Sequence, residues 1–120
     1  MKDKSLILNS IFEGILERKG KEIVSLSFEK IPNAYYDSFV ICHANPNTQV
    51  NAIADNIEKK VKEDLNINVH HREGIENAYW VLLDFADVIV HIFQKEYRDF
   101  YNIESLWGDA TINRIEESFE

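Results

Sequence analysis

Two near-continuous apolar segments, residues 80–85 and 88–93, are separated only by Ala86 and Asp87. Segments this short and this rich in Val, Ile, Leu and aromatic residues predict two antiparallel strands joined by a two-residue turn. Nothing else in the sequence constrains the fold as tightly. Such a turn sets residues 85 and 88, 83 and 90, and 81 and 92 opposite one another on a shared face. That face carries Tyr79, Val81, Leu83, Phe85, Val88, Val90 and Ile92, which is core composition. The other carries Trp80, Leu82, Asp84, Ile89, His91 and Phe93, large apolar groups among a carboxylate and an imidazole. Mixed chemistry of that kind suits a surface that meets a partner. It equally suits a sheet covered on both faces, with Asp84 and His91 hydrogen-bonded to each other or to backbone. Periodicity leaves both readings open.

The remaining chain supplies partners for this hairpin. Residues 5–18 place Leu8, Ile11, Phe12, Ile15 and Leu16 on one helical stripe, which Gly20 ends. Residues 22–28 alternate, with Val24, Leu26 and Phe28 opposite Ser25 and Ser27, as in a half-buried strand near an edge. Residues 38–44 are apolar on both faces and read as a central strand. After Asn45-Pro46 a long helix, capped by Asn47 or Thr48, presents Val50, Ile53, Ala54, Ile57, Val61 and Leu65. Residues 67–71 read as a short strand. Beyond Phe93, short helical turns are expected to pack Tyr97, Phe100, Ile103 and Leu106. Residues 111–120 form an acidic tail expected to fray. The order predicts an α+β fold: a mixed five-stranded sheet with helices packed on it. Its middle strand–helix–strand unit requires parallel neighbours.

A chain of 120 residues makes one domain, 1–120, able to bury a core without disulfides or a structural metal. Cys42 is the single cysteine and cannot form an internal bridge, which fits a reducing cytoplasm. No apolar run reaches membrane-spanning length, and the first residues lack a secretory leader pattern. A net charge of −8 disfavours direct binding to nucleic-acid phosphates and suits a basic protein partner.

Candidate chemistry is sparse. His70 and His71 are adjacent on a predicted strand and point to opposite faces, as do Cys42 and His43. No metal-binding spacing of Cys and His occurs, so no metal site and no cofactor are expected. Asp84 and Asp87 could bind magnesium for nucleotidyl transfer, but they lie three apart across a turn rather than two apart on one face. The loop before the long helix contains no glycine to cradle phosphate. Asp87 is expected to shape the turn and Asp84 to face a partner. No catalytic residue is assigned.

The segment WVLLDFADVIVHIF, followed by FYNIESLWGDA, resembles the ribosomal silencing factor family, also called Iojap. DSFVICHANPNTQVNAIADNIEKKV and Arg72-Glu73-Gly74 agree, so the resemblance spans residues 6–110. Two positions depart from it. Ala86 stands where the family commonly has glycine, and His43-Ala44-Asn45 replaces its usual Thr-Gly loop. The resemblance implies a cytoplasmic, nucleotidyltransferase-like domain without catalysis, acting as a translation repressor. It implies binding to the large ribosomal subunit through ribosomal protein 14 of that subunit, and steric blocking of small-subunit joining. The partner-binding residues would be Trp80, Leu82, Asp84, Ile89, His91 and Phe93, on a monomer or weak homodimer that neither reads nucleic acid nor enters a membrane. A divergent metal-dependent nucleotidyltransferase using Asp84 and Asp87 is the alternative.

Overall fold

The computed structural model describes residues 4–115. Along the chain run α1 (Lys4–Glu17), β1 (Lys21–Ser27), β2 (Ser38–Ala44), α2 (Asn47–Leu65), β3 (His71–Glu73), β4 (Trp80–Asp84) and β5 (Val88–Gln94). Then come α3 (Lys95–Tyr101), a 3-10 turn (Ile103–Leu106) and β6 (Thr111–Arg114). The strands form one mixed sheet in the order β3-β4-β5-β2-β1-β6. Only β2 and β5 pair in parallel. The fold is α+β, as expected, but with six strands rather than five.

The sixth strand corrects the expectation of a frayed tail. Thr111 to Arg114 pair antiparallel with Ser27 to Val24 of β1. All four side chains are exposed, so ladder hydrogen bonds rather than burial hold β6, and no hydrophobic period marks it. Residues 116–120 of the expected tail lie outside the described residues. The strand predicted at 67–71 instead begins at His71 and ends at Glu73. Ile67 and Val69 pack half-buried against the core without joining the ladder. This also moves the crossover: β3 runs in the direction of β2 but pairs with β4, and the parallel neighbour of β2 is β5.

The two longer helices, α1 and α2, share one face of the sheet. Ile11 and Ile15 of α1 are fully buried, flanked by Leu8, Phe12 and Leu16. The α1 stripe ends where Gly20 donates its N–H to the Ile15 carbonyl at 3.0 Å and Lys19 turns left-handed at φ 62°. In α2, Val50, Ile53, Ala54, Ile57 and Val61 are buried as predicted, while Leu65 is only half-buried. Neither Asn47 nor Thr48 caps it; Pro46 occupies the cap position, with no side-chain bond. Asn56 is buried between the helices, donating to the Gly14 carbonyl and to Glu17 at 2.9 Å each. Beneath them Val40, Cys42, Val81, Leu83, Val88, Val90 and Ile92 complete the larger core.

The hairpin keeps its predicted register. Val81 pairs with Ile92 and Leu83 with Val90, and Phe85 N–H bonds the Val88 carbonyl at 2.9 Å. Ala86 holds a left-handed φ of 75°. The Asp84 carboxylate accepts the Ala86 N–H at 2.7 Å, and Asp87 N–H reaches the Phe85 carbonyl at 3.0 Å. So Asp84, not Asp87, shapes the turn with its side chain. The Asp87 side chain is exposed, while its carbonyl accepts the Asp37 N–H at 2.8 Å. Positive φ costs alanine about 1 kcal/mol that glycine does not incur, offset in part by the greater freedom of glycine in the unfolded chain. Ala86→Gly should therefore raise stability by about 0.5 kcal/mol, read as a higher urea midpoint at unchanged slope. A lower midpoint would show that the turn is unstrained.

Candidate partner interface

On the sheet face away from α1 and α2, the hairpin divides into an open and a closed half. Trp80, Leu82 and Asp84 of β4 are half-buried; Ile89, His91 and Phe93 of β5 are buried. The cause is the chain that follows. It leaves β5 at Gln94, packs Tyr97 on Tyr79 at 4.5 Å, sets Tyr101 over Trp80 at 5.0 Å and inserts Ile103 into the core. It ends with Trp107 against Phe28 and Phe39, at 5.2 and 5.9 Å. This cover buries β5 and β2 but meets β4 through Tyr101, leaving Trp80, Leu82 and Asp84 half-exposed.

Of the six residues singled out in the sequence, three thus face outward and three lie beneath. Two of the lower ones fix Trp80: its ring stacks on Phe93 at 4.8 Å and its indole N–H donates to His91 Nδ1 at 3.1 Å, while Ile89 lies opposite Asp84. Of the two bonding alternatives left open for Asp84 and His91, the bond to each other does not form: Asp84 accepts from backbone, the Ala86 N–H, and His91 accepts from Trp80. Gly74 closes the strip at the β3 end. At φ 85° its backbone comes so near Trp80 that a Cβ would sit 2.1 Å from the Trp80 carbonyl oxygen.

An indole only donates, so His91 Nδ1 must be unprotonated and the ring neutral. Burial pushes the His91 pKa down to about 4. His43 is lowered as well, first by burial and then by the neighbouring Arg98 guanidinium. Both depressions have the same sign. The unfolded chain takes up protons near the ordinary histidine pKa of about 6.5, whereas the folded chain does so only at lower pH. The His91 contribution is complete above about pH 6.5 and declines as pH falls towards about 4, by at most roughly 1.4 kcal/mol per pH unit, and His43 acts in the same direction. His91→Gln keeps an acceptor for Trp80 but cannot titrate. It should flatten the dependence of unfolding free energy on pH across this window. An unchanged slope would show that His91 is not held neutral.

Sequence periodicity missed the anchor of this cover. Phe100 and Leu106, expected to pack, are 77 % and 70 % exposed. Helical spacing does not continue past Tyr101, because Asn102 turns left-handed and a 3-10 turn follows. Ile103 is buried as expected, but the buried residue of α3 is Arg98, 5 % exposed. Its Nε and one terminal nitrogen donate to the two Glu104 oxygens at 3.2 and 2.9 Å. Its other terminal nitrogen donates to the Glu22 carbonyl at 2.7 Å and to His43 Nδ1 at 2.9 Å. One guanidinium thus ties α3 and the 3-10 turn to β1 and β2.

Among the described residues, no three His, Cys, Asp or Glu side chains gather to hold a metal ion. No described helix is long and apolar enough to cross a membrane.

The geometry agrees with what the chain is similar to. The family described as "Ribosomal silencing factor during starvation" matches residues 2–120. Over 110 residues the chain is 40 % identical to a ribosomal silencing factor of Halalkalibacterium halodurans, covering 92 % of each. It is 43 % identical over 96 residues to that of Bacillus subtilis, covering 80 % of each. A crystal structure of a Chromobacterium violaceum protein superposes with a TM-score of 0.83 at 33 % identity, over 89 % of this chain and 88 % of that one. Sequence, fold and relatives agree: the chain belongs to the ribosomal silencing factor family.

Proposed function

We propose that this protein is a translation repressor that binds the large ribosomal subunit through its ribosomal protein 14 and sterically blocks joining of the small subunit. The observation that carries the reading is the open strip of β4. There Trp80 and Leu82 stand half-exposed beside the Asp84 carboxylate, in a chain with a net charge of −8. Apolar anchors rimmed by carboxylates suit a basic ribosomal protein, with the aromatic group supplying most of the affinity. His91 and Phe93 act in this reading from below, by holding Trp80 in one orientation, and Ile89 lies beneath the strip opposite Asp84. The protein works in the cytoplasm, as a monomer or weak homodimer, without cofactor and without catalysis.

A steric blocker acts by occupancy. Inhibition of subunit joining should saturate when the protein equals the large subunits in number, with no nucleotide required. Excess small subunits should relieve it by mass action. The measurement is sedimentation of subunits and joined ribosomes against increasing amounts of protein. Lasting inactivation by a trace amount, dependent on magnesium and nucleotide, would instead establish the nucleotidyltransferase-like alternative at Asp84 and Asp87.

A further inference from the structure

Beyond the hairpin, the same sheet face carries a cleft of about 330 Å³ between the β1–β2 loop and the end of the 3-10 turn. Its walls include Phe28, Pro32, Tyr35, Tyr36, Phe39 and Trp107. Tyr35 is 95 % exposed, and Tyr36 and Trp107 also present ring surface to solvent. Aromatic contacts join cleft to hairpin without a break: Trp80 to His91 at 5.9 Å, His91 to Phe39 at 4.6 Å, and Phe39 to Tyr36 and Trp107 at 5.9 Å each.

Two carboxylates adjoin the cleft through Tyr36, although neither lines it. Asp37 follows Tyr36, its N–H bonds the Asp87 carbonyl, and both carboxylates are exposed. No ion pair among the described residues engages either one. Glu29 and Lys30 in the same loop offset one another.

We infer that this cleft receives an arginine side chain of the same basic partner that meets Trp80 and Leu82. The inference rests on the hairpin being the partner surface. A guanidinium is planar and weakly hydrated, stacks on aromatic faces, and carries a fork of donors for a carboxylate. Aromatic walls next to Asp37 and Asp87 supply both halves of that recognition. An aliphatic side chain would use the walls and leave the acids idle. A nucleotide base would stack, but its phosphate would meet the two carboxylates and the negative charge of the whole chain.

Two arms test this. In the first, full-length variants bind isolated large ribosomal subunits. Tyr35 is almost wholly exposed, so Tyr35→Ala leaves the fold intact; it should weaken binding roughly three- to tenfold. Asp37→Asn should act in the same direction, more strongly at low salt. Wild-type affinity in both variants, with binding lost in Trp80→Ala, would overturn the cleft and leave the hairpin standing. The second arm needs no ribosome: N-acetylarginine amide is titrated while the side-chain NMR signals of Tyr35, Tyr36 and Trp107 are followed. Saturable shifts should appear with the arginine amide and exceed those with N-acetylleucine amide or uridine monophosphate. Equal or larger shifts with either of those, or none with arginine, would overturn the inference. If wild-type protein fails to bind large subunits, the proposed function falls and this second arm alone decides the cleft.

Discussion

Trp80→Ala is expected to weaken binding to large ribosomal subunits about thirtyfold or more while the domain stays folded. Truncating a central aromatic anchor typically costs about 2 kcal/mol or more of binding free energy. Trp80 has the setting of such an anchor. It is half-exposed, stacked on buried Phe93, flanked by Tyr101 and fixed by its hydrogen bond to His91. Its ring therefore loses little freedom when a partner covers it. The fold should survive, since the larger core on the opposite face, with fully buried Ile11, Ile15, Ile23 and Ile53, is untouched. Val81→Ala makes the matching control. Val81 is fully buried on the opposite face, so its truncation should lower stability and leave the affinity of the folded protein unchanged. Affinity from co-sedimentation, with circular dichroism for the fold, separates the two. A folded Trp80→Ala protein that binds like wild type would remove the hairpin from the interface.

What could be read in advance follows a physical line. Strand alternation has a period of two, so once the turn at Ala86-Asp87 was recognised, the register 81:92 and 83:90 and the core face followed. The buried stripe of α2 followed in the same way from its helical period. Local pattern cannot say what a later segment will cover. Ile89, His91 and Phe93 share a face with Trp80 and Leu82, and only the path of residues 95–107 buries the first three and spares the others. This is why an open surface and a covered sheet could not be told apart beforehand: β5 is covered, while β4 stays half-exposed.

Other elements escaped because hydrophobicity does not hold them. β6 is four exposed residues paired through backbone alone. Asp84 took the turn-shaping role expected of Asp87, because the turn geometry, not the residue type, decides which carboxylate reaches the Ala86 N–H. Asn56 sat among polar helix positions with nothing to show that it would bridge two helices. Arg98 stands in a charged segment, among Lys95, Glu96 and Asp99, with no mark of burial in the sequence. No periodic rule places a guanidinium in a core, because burial becomes tolerable only when partners distant in sequence meet it.

That dependence gives the largest stability effect expected here. Arg98→Ala should lower the unfolding free energy by about 3 kcal/mol or more. It would strand the Glu104 carboxylate, the Glu22 carbonyl and His43 Nδ1, all of which now accept from one buried guanidinium. Glu104 keeps 23 % of its side-chain surface in solvent, which softens its share of the loss and sets the figure at the lower end for a broken buried pair. Arg98→Lys should fall between, since an ammonium keeps the charge but cannot span both Glu104 oxygens and the two further acceptors. Adding Glu104→Gln to Arg98→Ala should recover part of the loss, as the stranded charge disappears; a double-mutant cycle by urea denaturation measures that coupling. The function should follow. With α3 and the 3-10 turn released from β1 and β2, Tyr101 no longer frames Trp80 and Trp107 no longer walls the cleft. Affinity for large subunits should then fall even where the sheet remains folded. Full stability in Arg98→Ala would mean that the apolar contacts of Ile103 and Tyr97 suffice to hold the cover.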